Sequence, residues 1–141
     1  MRKLGIDYGD SRVGIAITDA LNITVQGLET IHHQGNDKIV LKRLEEILNE
    51  YEIDTLVIGM PINMNGTKAE RVEITEKFIH KLKCKFNKII IETVDERLTT
   101  VAAHKTMNLL NVDKNKKKNI VDTISAVYIL ETYMKKIENT K

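Results

Sequence analysis

The acidic residues best placed to do chemistry stand at three positions in this 141-residue chain. Asp7 ends a short apolar run, and the adjacent Asp95 and Glu96 end a second one. Asp122 lies near the start of a C-terminal helical pattern. Carboxylate oxygens are the ligands that Mg²⁺ and Mn²⁺ prefer, and a bound ion lowers the pKa of an attacking water. The three positions therefore predict a metal site for phosphodiester hydrolysis, provided that the fold brings them together.

Two of these acids also have ordinary structural explanations. Asp and Gly are common in turns, so Asp7 with Gly9 and Gly14 is equally typical of a plain β-hairpin. Alternatively, those glycines let the backbone approach a ligand closely or adopt a positive φ. Asp122 near a helix start is explained by the helix dipole without any metal. The elements that carry these residues decide between the explanations.

The length of 141 residues predicts a single domain over residues 1–141, and hydrophobic periodicity predicts its elements. Two hairpins join the first three strands, and strand–helix–strand crossovers then make the strands they connect parallel. The fold class is therefore α/β, with a mixed five-stranded sheet flanked by helices. Such sheets bind ligands beyond the carboxyl ends of their parallel strands, where loop 59–67 lies, although that loop is also explained as a plain connector. The predicted strands are 3–8, 13–19, 24–31, 55–59 and 88–94. Four helices are predicted: the first begins at Asn36 or Asp37, the second contains residues 69–82, the third begins at Thr99 or Thr100, and the fourth spans 120–137.

Residues 111–119 form the one clear shift in composition. The segment is polar and strongly basic, and it is predicted to be a mobile loop before the last helix. A run of charged residues usually forms a solvent-exposed face. Because this basic segment lies beside the acidic residues, contact with phosphate is an equally favoured alternative. The lysines concerned are Lys114, Lys116, Lys117 and Lys118. The apolar stripe of the last helix is predicted at Ile120, Ile124, Val127, Met134 and either Leu130 or Glu131. Asp122 lies off that stripe beside Ser125, Ala126 and Ile129, and its small neighbours are expected to let the sheet approach closely there.

Overall composition excludes several other kinds of site. The net charge is only +2, so no global basic field marks a nucleic-acid-binding protein, and any basic surface is local. The single cysteine, Cys84, excludes an intrachain disulfide and a zinc site with several thiolates. No signal-peptide pattern and no apolar stretch of membrane-spanning length is present, which predicts a cytoplasmic protein without a membrane partner.

Four motifs follow one another along the chain. They are Ile6-Asp7-Tyr8-Gly9 with Arg12-Val13-Gly14-Ile15-Ala16, then Gly59-Met60-Pro61-Ile62-Asn63-Met64-Asn65-Gly66, then Asp95-Glu96-Arg97-Leu98-Thr99-Thr100, and finally Val121-Asp122 with Ala126 and Ile129-Leu130. Together they resemble the YqgF family, whose members are described as RuvC-like Holliday junction resolvases and as pre-16S ribosomal RNA processing nucleases. The resemblance covers essentially the whole chain. It implies an RNase H-like fold and cleavage of nucleic acid with Mg²⁺ or Mn²⁺ as cofactor.

The resemblance also implies specific roles for residues. The catalytic carboxylates are Asp7, Asp95, Glu96 and Asp122. The expected metal ligands are Asp7, Glu96 and Asp122, although successive strand residues point to opposite faces and the choice within the Asp95–Glu96 pair stays open. Arg97 either clamps a phosphate or braces the Asp7 region through an ion pair, and Arg12 either contacts substrate or anchors its turn. With the four lysines, these arginines form the expected nucleic-acid-binding set.

The implied activity is that of a hydrolase, a divalent-metal-dependent endonuclease that matures the 5′ end of pre-16S ribosomal RNA. Resolution of Holliday junctions in branched DNA is the nearest alternative. That reaction requires a symmetric pair of active sites, and no strong dimer signature is visible, so a monomer or weak homodimer is expected. An actin-like ATP-binding protein needs two lobes, whereas this chain has room for one. A catalytically silent nucleic-acid-binding module is disfavoured because every proposed carboxylate is present.

Overall fold

The computed structural model describes residues 1–61, 69–95 and 114–139, with side chains at 1–61, 70–95 and 123–138. The predicted mixed sheet is confirmed: five strands lie in the order β3-β2-β1-β4-β5. Strand β1 pairs antiparallel with β2 and parallel with β4. Strand β3 pairs antiparallel with β2, and β5 pairs parallel with β4. The elements are β1 Arg2–Tyr8, β2 Arg12–Thr18, β3 Val25–His32, α1 Asp37–Glu50, β4 Ile53–Met60, α2 Ala69–Lys85, β5 Ile90–Asp95 and α3 Lys114–Asn139.

The central strand β1 buries both of its faces, against different helices. Leu4, Ile6 and Tyr8 point into the larger core, which the sheet forms with α1 and α2. The opposite face packs against α3, whose Ala126, Ile129 and Leu130 contact the sheet. Gly5 lies on this second face, because side chains alternate along a strand. The carboxyl end of β1 is therefore enclosed by helices on two sides.

Helix α3 begins at Lys114, which corrects the predicted loop. The four lysines lie in the first turns of this helix, because lysine itself favours helix formation. Asp122 is consequently more than two turns beyond the helix start, where the helix dipole is no longer felt. The helix predicted to begin at Thr99 or Thr100 and most of loop 59–67 lie outside the described residues.

The sheet approaches α3 closely at the small residues beside Asp122, as predicted, and the predicted apolar stripe is less deeply buried than that face. Ile124 and Val127 are only partly buried, whereas Ser125, Ala126 and Ile129 are fully buried and face the sheet. Close packing is the reason: a Cβ atom built on Gly5 would lie 2.7 Å from the Ala126 carbonyl oxygen and 2.8 Å from the Leu130 Cβ. Small residues on both elements allow the helix backbone to rest directly on the central strand. The face that carries Asp122 is thus the sheet-facing one.

Helix α1 begins as predicted. Asn36 is its N-cap, and the Asn36 side chain accepts a hydrogen bond from the Lys38 amide at 3.1 Å. The preceding Gly35 has φ +83°, a conformation that favours glycine. In the described ranges, no helix combines the length and the apolar character needed to cross a membrane.

Candidate active site

Asp7 lies near the carboxyl end of the central strand, on the face covered by α3. On one side, Asp7 pairs with Gly14 of β2. On the other side, Ile6 pairs with Ile58 of β4, so the next residue, Gly59, lies beside Asp7. The half-buried Asp7 carboxylate therefore has a glycine beside it on each neighbouring strand. An acid between two glycines leaves room for a ligand, such as an ion or a phosphate, to approach the backbone. This arrangement has the open backbone that the predicted metal site requires, and the metal-binding role of Asp7 stays a prediction.

Helix α3 crosses the sheet at the level of Asp7. The Thr123 hydroxyl lies 3.1 Å from the Thr30 hydroxyl on β3. Thr30 pairs with Gly14, which pairs with Asp7, so all three belong to one row across the sheet. Two strand spacings, roughly 10 Å, separate Thr30 from Asp7 along this row.

The position of Asp122 follows from this crossing. Asp122 immediately precedes Thr123, and it lies one helical turn before Ser125 and Ala126 on the sheet-facing stripe. The backbone of α3 therefore brings Asp122 to the same layer and the same end of the sheet as Asp7. The side chain of Asp122 is outside the described part, and its metal-binding role stays a prediction.

Asp95 is on the other side of the sheet. Its neighbour Val94 is buried against Ala126 of α3, so strand alternation directs Asp95 toward the layer of α1 and α2. Asp7 and Asp95 consequently do not share a face. Glu96 and Arg97 lie outside the described residues. Over the ranges with described side chains, which omit Glu96 and Asp122, no three metal-binding side chains form a cluster.

The turn after Asp7 requires glycine for a steric reason. The Gly9 amide donates a hydrogen bond to the Arg12 carbonyl oxygen at 2.8 Å, and a Cβ atom on Gly9 would lie 2.6 Å from that oxygen. Positive φ is not involved, since among the described glycines only Gly35 has one. Arg12 is partly buried at the start of β2, and its two possible roles both stay predictions.

Tyr8 anchors the end of β1 in the larger core. Its ring stacks on Phe78 with centroids 4.1 Å apart, and on His33 with centroids 5.7 Å apart. The Tyr8 hydroxyl donates to the Asp37 carboxylate at 2.6 Å, and Lys81 holds the other carboxylate oxygen at 2.9 Å. Burial, followed by the hydrogen bond to Asp37, raises the pKa of Tyr8, so the phenol remains a donor. The ring and the hydroxyl together hold the residue that follows Asp7.

Two further residues secure this turn, and sequence reasoning missed both. Arg71 on α2 donates to the Tyr8 carbonyl oxygen at 3.1 Å and forms an ion pair with Asp10. His33, in the loop between β3 and α1, is buried, and its Nε2 lies 3.0 Å from the Gly9 carbonyl oxygen. Neither residue has a local sequence signal for this role, because the turn residues that they contact are more than twenty positions away in the chain.

Comparison with known proteins agrees with this geometry. The profile of the family RuvX, described as Holliday junction resolvase, matches residues 1–136. A protein of Ruminiclostridium cellulolyticum, named "Putative pre-16S rRNA nuclease", is 54% identical over 141 residues, covering 100% of this chain and 99% of the relative.

Two solved structures share the fold at low sequence identity. Thermus thermophilus RuvC, solved with a Holliday junction substrate, has a TM-score of 0.53 at 11% identity and covers 95% of this chain and 97% of its own. The fowlpox virus resolvase, solved with Holliday junction DNA, has a TM-score of 0.56 at 13% identity and covers 97% and 99%. The RNase H-like fold is thus confirmed. The chain belongs to the RuvX (YqgF) family.

Proposed function

We propose that this protein is a divalent-metal-dependent endonuclease that cleaves phosphodiester bonds in precursor 16S ribosomal RNA, in the cytoplasm, during maturation of the 5′ end. One observation carries the proposal. Asp7 stands between two glycines at the carboxyl end of the central strand, on the face that Asp122 of α3 approaches. The 54% identical relative that bears the name of a pre-16S rRNA nuclease supports the choice of substrate.

The chemistry divides between a cation and the side chains that hold it. When bound, Mg²⁺ or Mn²⁺ supplies an acidified water and neutralises charge on the phosphate. Asp7, Glu96 and Asp122 offer only oxygen donors, the set that these hard cations take. Glu96 is proposed over Asp95, because Asp95 faces the layer opposite to that of Asp7.

Substrate binding is proposed to rely on basic residues around the same end of the sheet. The lysines of α3 lie in its first turns, where the positive end of the helix dipole also attracts phosphate. Neutralised phosphates release counterions, so such binding weakens as salt rises. Arg12 and Arg97 complete the proposed set. The residues in question on α3 are Lys114, Lys116, Lys117 and Lys118.

Cleavage of four-way DNA junctions is the second candidate. The description of the matching family profile as Holliday junction resolvase favours it. A resolvase acts through paired sites on a dimer, whereas the RNA nuclease is proposed to act as a monomer or a weak homodimer. Precursor 16S RNA and a four-way junction, incubated side by side with Mg²⁺, with Mn²⁺ and with chelator, separate the two functions.

The variant Asp7→Asn tests the metal-dependent mechanism. We expect loss of nearly all cleavage with an intact fold, because the amide keeps the shape of the side chain but loses the charge that holds the cation. The matched control is Asp54→Asn, which removes a partly buried strand acid whose partner is Lys3 at 2.8 Å. That control should lose stability and keep cleavage. Full nuclease activity in Asp7→Asn would refute the assignment.

A further inference from the structure

The two residues that follow Asp7 are held from several directions at once. Arg71 and Arg12 engage the main chain of Tyr8 and Gly9, and Asp37 holds the Tyr8 hydroxyl. The Gly9 carbonyl oxygen is engaged by a side chain from the loop between β3 and α1. We propose that this side chain, His33, is a positioning residue for phosphodiester cleavage, which keeps the turn after Asp7 in the conformation that aims its carboxylate. This role rests on the proposed nuclease function.

Both nitrogen atoms of the His33 ring are used. The Gly35 amide donates to Nδ1 at 3.0 Å, so Nδ1 is an acceptor. The ring proton of the neutral imidazole then lies on Nε2, which donates to the Gly9 carbonyl oxygen at 3.0 Å. The side chain is 1% exposed and stacks nearly parallel to Tyr8, with 6° between the ring planes. The first hydrogen bond and the stack orient the ring, and the second bond acts on the turn.

The main chain couples His33 to the turn as well. Its amide donates to the Ser11 carbonyl oxygen at 2.9 Å, next to the bond between the Gly9 amide and Arg12. The turn is thus tied to the β3–α1 loop through both main chain and side chain. Because Asp7 lies only two residues before Gly9, a shift of this turn displaces the carboxylate. A misplacement of about 1 Å in an active site lowers the rate by up to roughly 100-fold.

Two substitutions separate this role from a merely structural one. In His33→Asn, the side-chain oxygen replaces Nδ1 as acceptor for the Gly35 amide, as in an Asx turn, but nothing reaches Gly9. In His33→Gln, the amide nitrogen reaches the position of Nε2 and still donates to Gly9, whereas the Nδ1 acceptor is removed. Each variant loses one hydrogen bond and the ring stack, so we expect similar decreases in melting temperature.

The test compares the rate of cleavage at saturating substrate, KM and the melting temperature of wild type and both variants. We expect kcat to fall about 10- to 100-fold in His33→Asn with KM unchanged, and to stay within about 3-fold of wild type in His33→Gln. A wild-type kcat in His33→Asn overturns the proposal, as does an equal loss of kcat in both variants. If His33→Asn does not fold, a folded His33→Gln with a kcat more than about tenfold reduced overturns it.

Amide hydrogen exchange of Gly9 keeps this test independent of the nuclease assignment. The Gly9 amide should exchange faster in His33→Asn than in wild type, and at the wild-type rate in His33→Gln. If the wild-type protein cleaves neither RNA nor junctions, the nuclease proposal fails. The exchange rate of the Gly9 amide then still tests whether His33 fixes the turn. Equal protection of Gly9 in wild type and His33→Asn overturns the positioning role.

Discussion

The close approach of Gly5 to α3 provides a direct way to perturb the distance between the two layers that carry Asp7 and Asp122. In Gly5→Ala, the new methyl group would lie 2.7 Å from the Ala126 carbonyl oxygen and 2.8 Å from the Leu130 Cβ. Ordinary contacts of a Cβ atom begin at 3.4 Å. Neither obstacle is the end of a flexible side chain, so the helix itself must move by several tenths of an ångström.

The magnitude follows from this overlap. Overpacking a close-packed interior costs about 1–3 kcal/mol in the free energy of unfolding. For a chain of this size that is a decrease of roughly 4–12 °C in melting temperature. A displacement of α3 also moves Asp122 away from Asp7, so we expect cleavage at saturating RNA to fall about tenfold or more.

The assay pairs urea unfolding with single-turnover cleavage at a temperature where each variant is fully folded. The control is Ile47→Val, which removes one methyl group from the α1 side of the core and costs about 0.5–1.5 kcal/mol. It should lose stability and keep cleavage. If Gly5→Ala loses the expected stability yet cleaves like wild type, the packing of α3 on β1 does not position the site.

Two further predictions address the metal and the substrate. Asp122→Asn should relieve repulsion between carboxylates in the metal-free protein and abolish most of the rise in melting temperature caused by Mn²⁺; an unchanged Mn²⁺-dependent shift would remove Asp122 from the site. Replacing the four α3 lysines by Gln should weaken RNA binding and lower the slope of log affinity against log salt by about one for each phosphate that the protein no longer neutralises. The control variant replaces the exposed Lys135 and Lys136 at the far end of the same helix by Gln. If the salt slope of the variant without the four lysines equals that of this control, the four lysines do not bind phosphate. The four lysines are Lys114, Lys116, Lys117 and Lys118.

The five strands of a mixed sheet, and the prediction that Asp7 belongs to the site, follow from the sequence alone. Alternating or continuous apolar runs specify strands, and the crossover rule then leaves few topologies for five of them. Asp7 is conspicuous because a charged side chain interrupts a buried strand, and that pattern is local. The N-cap at Asn36 is local as well, since its partner is the Lys38 amide two residues away.

The small neighbours of Asp122 predict a close approach of the sheet, but contacts with another element determine that this face of α3 is buried more deeply than the aliphatic stripe. The sequence of the helix favours the larger aliphatic residues, Ile124 and Val127, yet Ser125 and Ala126 are buried. The information lies in another element: Gly5 on β1 lets the helix backbone approach so closely that small residues fill the interface. The choice places Asp122 on the sheet-facing side.

The contacts of His33 and Arg71 with the turn after Asp7 likewise depend on the tertiary structure. Their hydrogen bonds join residues 24 and 63 positions apart, and no periodic pattern encodes such a pairing. A buried histidine and an exposed one look the same in a loop sequence, because burial depends on what the rest of the chain packs against it. Local hydrogen bonding and periodicity thus determine the elements and the central acid, whereas the geometry around that acid depends on contacts between distant segments.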